Sequence, residues 1–389
     1  MLHKKSKIEK WRIPLYKIYN DKEDIRSVSR VIRRGSDWAL GPEIENFEKI
    51  LADYVGTRYC LTFNSGTSAL HSALLAAGVR QGHHVIVPSF SFIATANSVL
   101  MVNAKPSFVD IEEDTLGIDP KTITTSISKK TKVILPIHYA GLPCKITNIK
   151  QIAQENKITL IEDAAESLGS KIKNRMVGTF GDIAVFSFAS NKVITTGEGG
   201  AITTNSRKIY EKLKLIRSHG RMDIQNYFST NLQPEYVTLG FNWRMSSITA
   251  ALALTQLNKI EKLINLRRKK AKYLSERLGK FKQIIVPHEP PNYRHVYQLY
   301  SIRLKNSKKR DKLMNFLSSK GIMSKVFFYP IHQSSYYKKL GYVNSKNLEL
   351  TKVVSKEILT LPMYPGLEKE NLDYIIDSVK EFAELENLE

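Results

Sequence analysis

The sequence predicts an α/β fold with a smaller α+β unit towards its C-terminal end. Three observations carry this. Between Tyr59 and Thr204, short apolar, β-compatible runs alternate with segments whose apolar residues recur at helical spacing. A proline-rich break at Pro287-His288-Glu289-Pro290-Pro291-Asn292 precedes a second, shorter set of strand and helix patterns. The length, 389 residues, accommodates two domains and a large core. The boundary is placed within a long charged helix: 1–255 as an N-terminal arm and large domain, 256–389 as linking helix and small domain.

Residues 1–20 read as an extended lead-in. Asn20 is placed to cap a helix carrying Ile25, Val28, Val31 and Ile32, which Gly35 ends. Pro42 suits the first position of the next helix, which turns Ile44, Phe47, Ile50 and Leu51 inward and stops at Gly56. Strands are expected at Tyr59–Phe63, His84–Pro88, Ser107–Val109, Lys132–Ile137, Ile158–Ile161 and Asp182–Phe188, with a further one entering through Gly199-Gly200. Helices are expected over Ala69–Ala77, up to Met101, over Ile146–Glu155 and up to Ser218. The stretch from His219 to Thr238 lacks periodicity and is long for a connection, which suggests a functional loop. One continuous helix is predicted over Ser246–Leu278. A strand at His295–Leu304, a helix at Asp311–Ser319, a strand near Lys325–Tyr329 and a last helix at Lys369–Leu385 complete the chain.

Composition narrows the function classes. Hydrophobic residues make up 42% and charged residues 25%, values usual for a globular chain, and no apolar run reaches membrane-spanning length. The basic start at Met1–Lys7 is followed by no apolar signal core. Cys60 and Cys144 are the two cysteines, which excludes a disulfide framework or a multi-cysteine metal site and suits a reduced, cytoplasmic setting. The net charge of +22 could serve nucleic acid, but the basic runs Arg267–Lys270 and Lys305–Lys312 lie on or beside expected helices without interleaved aromatics. They read as solvated faces, and no specific nucleic-acid partner is expected. A diffuse positive field also attracts a nucleotide diphosphate.

The densest chemistry lies in Phe186-Ser187-Phe188-Ala189-Ser190-Asn191-Lys192 and Thr195-Thr196-Gly197-Glu198-Gly199-Gly200. Lys192 sits in a small-residue loop between two strands. Its amine can reach a ligand held over the sheet edge and form an imine with it. Alone it would be a surface charge. Its company changes the reading. Asp163 ends an earlier strand, where ligands of open α/β sheets gather, although an acid there is also a common cap. Ser65-Gly66-Thr67-Ser68 opens a helix whose N-terminus is an anion site or simply a capped end. Ser187 lies on the strand entering the lysine loop. An imine lysine, an acid and a phosphate cup are the parts that hold pyridoxal phosphate.

These motifs resemble the DegT/DnrJ/StrS family of sugar aminotransferases, fold-type I pyridoxal-phosphate enzymes. The likeness extends from about Ile13 to the final helix. It rests on Asn64–Leu70, Val87–Phe92, Ile161–Glu166, Phe186–Gly200 and Gly240-Phe241-Asn242-Trp243-Arg244-Met245. The lysine motif is similar to the branch that aminates C4 of the sugar. The resemblance implies a large domain with a mixed, mostly parallel sheet between helices, and a small α+β domain. It implies that Lys192 carries the cofactor and moves the proton, and that Asp163 faces the pyridine nitrogen. Glu166 would lie near the phenolic oxygen and Phe92 on the ring face, with Gly66, Thr67 and Ser187 around the phosphate. Asn242 would come from a neighbouring subunit, making a homodimer with shared sites. L-glutamate would donate the amine to a nucleotide-linked keto-sugar, 4-keto in preference to 3-keto. Trp38, His332 and Tyr364 are candidate sugar contacts, with core packing as the alternative. Ala189 stands where many relatives carry His, Tyr or Asn, which removes one inferred sugar contact. A retained Lys192 speaks for transfer against a silent sensor or nucleic-acid-binding protein on the same fold. No metal is expected.

Overall fold

The computed structural model describes residues 11–222, 231, 233–342 and 348–386. Helix α1 (Lys22–Arg34) begins at Asp21, not Asn20, through a capping box. The Asp21 side chain accepts from the Asp24 N–H, and Asp24 accepts from the Asp21 N–H. Gly35 ends it at φ 73°, a left-handed turn that glycine takes without strain. Helix α2 spans Pro42–Val55. Ile44, Phe47 and Leu51 are buried as expected, but Ile50 faces outward, because the stripe follows i, i+3, i+7 and leaves position 50 off it. Ile25 and Ile32 of α1 are likewise exposed, and only Val31 of the expected set is fully buried.

The large sheet has seven strands among the described residues: β1 (Tyr59–Phe63), β2 (His84–Pro88), β3 (Lys105–Val109), β4 (Thr131–Ile134), β5 (Thr159–Asp163), β8 (Ile183–Ser187) and β9 (Gly200–Thr204). Strands β6 (Lys171–Ile172) and β7 (Arg175–Met176) form a small ribbon between β5 and β8. The order is β1-β9-β8-β5-β4-β2-β3. Strand β9 runs antiparallel to both neighbours, and all other pairs are parallel. The sheet is therefore mixed and mostly parallel.

Helices α3 (Gly66–Ala76), α4 (Ile93–Met101), α5 (Pro120–Ser126) and α6 (Ile146–Glu155) link these strands, and α7 (Arg207–Arg217) follows the last of them. Alternation along a strand sorts side chains to two cores. Val85 and Val87 pack with residues of α3 and α4, whereas Ile86 packs with Ile146 and Ile149 of α6. Both faces are covered, so the strands read as continuous apolar runs.

The predicted helix over Ser246–Leu278 is two helices, α8 (Ser247–Asn258) and α9 (Ile260–Leu278). The break falls at Lys259, whose ammonium is held 2.8 Å from both Asp21 and Asp24 at the start of α1. Helix α9 joins two cores. Its first turns bury Leu263 and Ile264 with the large sheet, and its last bury Ala271, Leu274 and Leu278 with the C-terminal elements. Those are β10 (Ile284–Ile285), β11 (Tyr293–Arg294), β12 (Tyr300–Leu304), α10 (Ser307–Ser319), α11 (Ser335–Lys339), α12 (Glu349–Glu357), β13 (Ile358–Leu361) and α13 (Lys369–Leu385).

Two expected strands are shorter or absent. Residues 295–299 leave β12 because the Val296 and Leu299 N–H groups bond to Gly141 and Ala140 of the large domain. Lys325–Tyr329 makes one bridge, Lys325 to Thr360, and the Phe327 carbonyl accepts from the Tyr139 hydroxyl instead of a strand neighbour. Arg267 of α9, 2% exposed, ties the units together by donating to the carbonyls of Tyr297, Gln298 and Met363.

A close backbone approach lies at the edge of the large sheet. A Cβ added at Gly200 would fall 2.6 Å from the Ser65 carbonyl carbon and 2.8 Å from the Gly66 nitrogen. Backbone cannot swing aside as a side chain can. Gly200→Ala is expected to destabilise by roughly 2–4 kcal/mol, as for overpacked or strained sites. Gly366→Ala, where a Cβ meets nothing within 4 Å, should lie within about 0.5 kcal/mol of wild type. Denaturant unfolding of the two variants checks the contrast, and equal stabilities would refute it.

Candidate active site

Parallel strands bring their C-terminal ends to one edge. The turn after β1 holds Ser65 and Gly66, the turn after β2 leads to Phe92, and the extension of β4 reaches His138–Ala140. Strand β5 ends on Asp163, β8 ends on Ser187, and Gly200 opens β9. Residues from Ser65 to Gly200, 135 positions apart, thus meet at one sheet edge.

Ser65 caps α3, its Oγ accepting from the Ser68 N–H at 3.1 Å. The first-turn N–H groups of Gly66 and Thr67 have no intrahelical acceptor and lie at the positive end of the helix dipole. Across from them, the Ser187 Cβ lies 2.9 Å and its Oγ 3.1 Å from where a Gly66 Cβ would stand. A side chain at position 66 would close this cradle.

Asp163 is 2% exposed. Its Oδ2 accepts from Thr95 Oγ1 at 2.8 Å, and Thr95 Oγ1 lies 2.7 Å from Ser91 Oγ. Its Oδ1 accepts from the Ala165 N–H at 3.2 Å. No cation lies within 4 Å of it among the described residues. Burial raises its pKa above the usual carboxylate range, against the lowering effect of the Thr95 hydrogen bond. Glu166 is raised by burial too, opposed chiefly by the Lys192 charge. Its Oε2 accepts from the Ala140 N–H at 2.8 Å, and its Oε1 lies 3.6 Å from Lys192 Nζ. Lys192 stands in the loop after β8, half-buried.

The remaining candidates are placed less closely. Phe92 immediately precedes α4, 58% exposed, with its ring 6.3 Å from that of Phe328. Asn242 is exposed and makes no side-chain hydrogen bond among the described residues. Trp38 is half-exposed and donates from Nε1 to the Val31 carbonyl at 3.1 Å. His332 is buried with Nδ1 2.6 Å from Ser89 Oγ, and Tyr364 is buried in the C-terminal core. The expected loop His219–Thr238 lies partly outside the described residues, which omit 223–230 and 232.

Sequence reasoning missed Thr95, Ser91 and Ala140. Thr95 looks like any helical threonine, and Ala140 contributes only its N–H, at φ 58°. It also missed the partner of Glu162. This residue sits on the other face of β5, fully buried, and accepts from the N–H groups of Gly178, Phe180 and Gly181 and lies 3.1 Å from His138 Nε2. His138 Nδ1 accepts from the Cys144 N–H, so Nε2 carries the proton and donates to Glu162. These bonds hold Glu162 as a carboxylate, its pKa lowered despite the burial that opposes it.

The cradle at Gly66, the amine of Lys192 and a buried acid lacking a cation fit a group that brings a phosphate, an aldehyde and a protonated ring nitrogen. The fold and this edge are those of a pyridoxal-phosphate-dependent aminotransferase. A model of the DegT/DnrJ/EryC1/StrS aminotransferase family matches residues 19–380, and the chain belongs to that family. It is 35% identical over 341 residues to a GDP-perosamine synthase of Caulobacter vibrioides, covering 87% of this chain and 89% of the relative. Among solved structures it resembles Helicobacter pylori PseC, an aminotransferase of pseudoaminic acid biosynthesis, with TM-score 0.89, 29% identity and coverage of 96% and 99%. It also resembles a Streptococcus pneumoniae protein described as a sugar aminotransferase and solved in its PLP form, with TM-score 0.89, 27% identity and coverage of 96% and 99%. Pyridoxal phosphate is the cofactor, and the enzyme is a sugar aminotransferase.

Asp163 yields a pH prediction. Its folded pKa is raised, so the folded apo-protein binds a proton that the unfolded chain releases. Its contribution to stability is therefore lost as pH rises from the ordinary carboxylate value through the raised one. Apo Asp163→Asn should melt a few degrees above apo wild type at pH 7–8, with the gap closing towards pH 4. Thermal scans after cofactor removal check the sign. A variant less stable at neutral pH would contradict it.

Proposed function

We propose that this enzyme transfers the amino group of L-glutamate to a nucleotide-linked keto-sugar, at C4 in preference to C3, for glycan or cell-surface polysaccharide synthesis. The observation that carries the reading is the 3.6 Å approach of Lys192 Nζ to Glu166 Oε1, with Asp163 buried at the same edge. A lysine kept beside one desolvated acid, with a second buried at the same edge, is equipped for imine and proton chemistry, which a sensor would not need. The likeness to a GDP-perosamine synthase supports a sugar-nucleotide acceptor, and the similarity of the lysine motif to the C4-aminating branch supports the C4 preference.

When bound, the cofactor supplies an electron sink that weakens the Cα–H bond of the donor. Each residue then has a task at a stated atom. Gly66, Thr67 and Ser187 would hold the phosphate through N–H and hydroxyl donors. Asp163 would keep the proton on the ring nitrogen through a charge-assisted bond in a dry site, where such a pair is strong. Glu166 would serve the phenolic oxygen, and the Ala140 N–H holds its carboxylate in place. Phe92 would cover the ring. Lys192 would bind the aldehyde carbon and would carry the proton from the donor's Cα. Oxo-acid and keto-sugar would use the same site in turn.

Asn242 would complete the phosphate site of a neighbouring copy, giving a homodimer with shared sites. Its exposure, with no side-chain partner among the described residues, supports this. The large and small domains are divided near residue 255, a cytoplasmic setting suits the substrates, and Trp38, His332 and Tyr364 remain candidates for the sugar side.

The test is an absorption spectrum of the purified protein, followed by L-glutamate and then a panel of GDP-, UDP- and dTDP-linked 4-keto and 3-keto sugars. A visible band that converts with glutamate and returns with a 4-keto sugar is expected. Return with 3-keto sugars alone would overturn the C4 preference, and return with none would overturn the sugar-nucleotide reading. Lys192→Ala should bind the cofactor without a covalent link and lose transfer by about 10³-fold or more. Near-normal turnover in single-turnover assays would sink the assignment.

A further inference from the structure

A buried chain of hydroxyls ends on Asp163. Ser91 immediately precedes Phe92, and Thr95 lies in the first turn of α4. They are 2% and 1% exposed, so bulk water cannot stand in for either hydroxyl. Ser91 Oγ lies 2.7 Å from Thr95 Oγ1, and Thr95 Oγ1 lies 2.8 Å from Asp163 Oδ2. The backbone beneath them is fixed as well. The Thr95 N–H donates to the Phe92 carbonyl at 3.1 Å, and Ser98 Oγ donates to the Thr95 carbonyl at 2.9 Å.

Counting protons gives the chain a direction. A hydroxyl has one proton to donate, and an ionised carboxylate only accepts. The Thr95 proton therefore goes to Asp163 Oδ2. Thr95 Oγ1 is left as an acceptor towards Ser91, and the Ser91 proton goes to Thr95. A hydroxyl polarised from behind in this way is a stronger donor. The Ala165 N–H also reaches this carboxylate, at 3.2 Å on Oδ1, so Thr95 is the closer of these two donors.

A buried acid that faces a ring nitrogen shares one proton with it. Desolvation penalises both charges of an ion pair, so a dry site favours the two neutral forms. Burial thus pulls the shared proton from nitrogen to Asp163, and a ring nitrogen without its proton is a poor electron sink. A donor on the carboxylate pulls the other way, because it stabilises the charged form. Thr95 opposes burial in this sense. We propose that Thr95, polarised by Ser91, is a positioning residue that holds the shared proton on the ring nitrogen of the cofactor and off Asp163. The inference rests on the reading of Asp163 as the partner of that nitrogen. Other titratable groups also act on Asp163. Lys192 after β8 and His138 beyond β4 favour its charged form, and Glu166 after β5 is coupled to it through like charge. All three remain in the variants below.

The place of the proton is read by solid-state nitrogen-15 NMR of the holoenzyme loaded with pyridoxal phosphate labelled at the ring nitrogen. Thr95→Val keeps the branched shape and removes the donor. Its ring-nitrogen signal should move from the wild-type position towards the unprotonated one. Thr95→Ser restores a hydroxyl and should return it, and Ser91→Ala should move it the same way by less. In single turnovers with L-glutamate, Thr95→Val should lose about tenfold in rate, the scale of one hydrogen bond to a charged group, with half-saturation by glutamate unchanged. Thr95→Ser should recover most of that rate. The apo-protein gives a readout without cofactor. Loss of the donor raises the folded Asp163 pKa further, so apo Thr95→Val should melt increasingly below apo wild type as pH rises from the carboxylate range. A melting gap equal at every pH would mean packing alone and would overturn the role. A wild-type ring signal in Thr95→Val would overturn it too, while a signal moved by Asp163→Asn would leave the Asp163 reading standing. If Asp163→Asn leaves the ring signal in place, that reading falls and the relay falls with it.

Discussion

Carboxylates held out of water at the end of a parallel strand set the terms for the rest of the site. Asp163 can be buried there because β5 lies inside the sheet, with β4 and β8 on either side. Its backbone is pinned on one flank, where the Asp163 N–H bonds to Pro136 and its carbonyl accepts from the His138 N–H. A side chain on so fixed a backbone cannot turn to solvent, and Thr95 and Ala165 donate to it without cancelling its charge. The folded apo-protein therefore stores an unfavourable interaction that a cationic ring nitrogen relieves. This is a local conflict of the sort that marks functional sites. On the opposite face of the same strand Glu162 meets no such conflict. Three N–H donors and His138 satisfy it, and it anchors the turn into β8. One strand thus presents a fully paired acid to the core and a poorly paired one to the site.

The second requirement is that the lysine loop keep its distance from the small domain. The contacts that do this come from the segment between Tyr293 and Tyr300, which sequence periodicity reads as strand. Its N–H groups are given to Ala140 and Gly141, its carbonyls to Arg267, and its Gln298 side chain to Asn191. Among the described residues no acid lies within 4 Å of Arg267, and the carbonyl dipoles of Tyr297, Gln298 and Met363 face its charge. Burial lowers its pKa to about 10, which still leaves it charged near neutral pH. A rod running from α9 through these carbonyls makes the gap beside Lys192 a built feature, fixed by packing on both sides.

Much of this was legible in the sequence because the signals are local. Strands β1 and β2 and helix α13 fall where periodicity puts them, since each is an apolar run or stripe bounded by glycine, proline or a cap. The acid, the lysine and the Ser-Gly-Thr turn were visible because their residue types are rare together at strand ends. What escaped depends on tertiary competition for backbone groups. Residues 295–299 have strand composition, yet their N–H partners lie in the other domain. Lys259 interrupts a good helical pattern because its ammonium is drawn to two aspartates more than 230 positions away. Thr95 and Ala140 carry no signal at all: one is a threonine on a helix and the other acts through its backbone.

The openness of the site bears on the proposed homodimer. Proton transfer at Cα is favoured where water is excluded and each fixed charge acts at full strength. Asp163 and Glu166 meet that condition, but Phe92, proposed to cover the ring, is itself 58% exposed. Asn242, and the apolar Tyr236, Val237 and Leu239 just before it, also face outward. Side chains of this kind rarely stand together on a free surface. The described residues of a single protomer thus build the dry half of the site, with its acids and its lysine, and leave Phe92 and Asn242 exposed beside it. In the proposed homodimer, a second copy that brings its own Asn242 would supply a polar donor and an apolar lid in one contact. Symmetry then returns the favour, because a two-fold interface places the same segment over both sites.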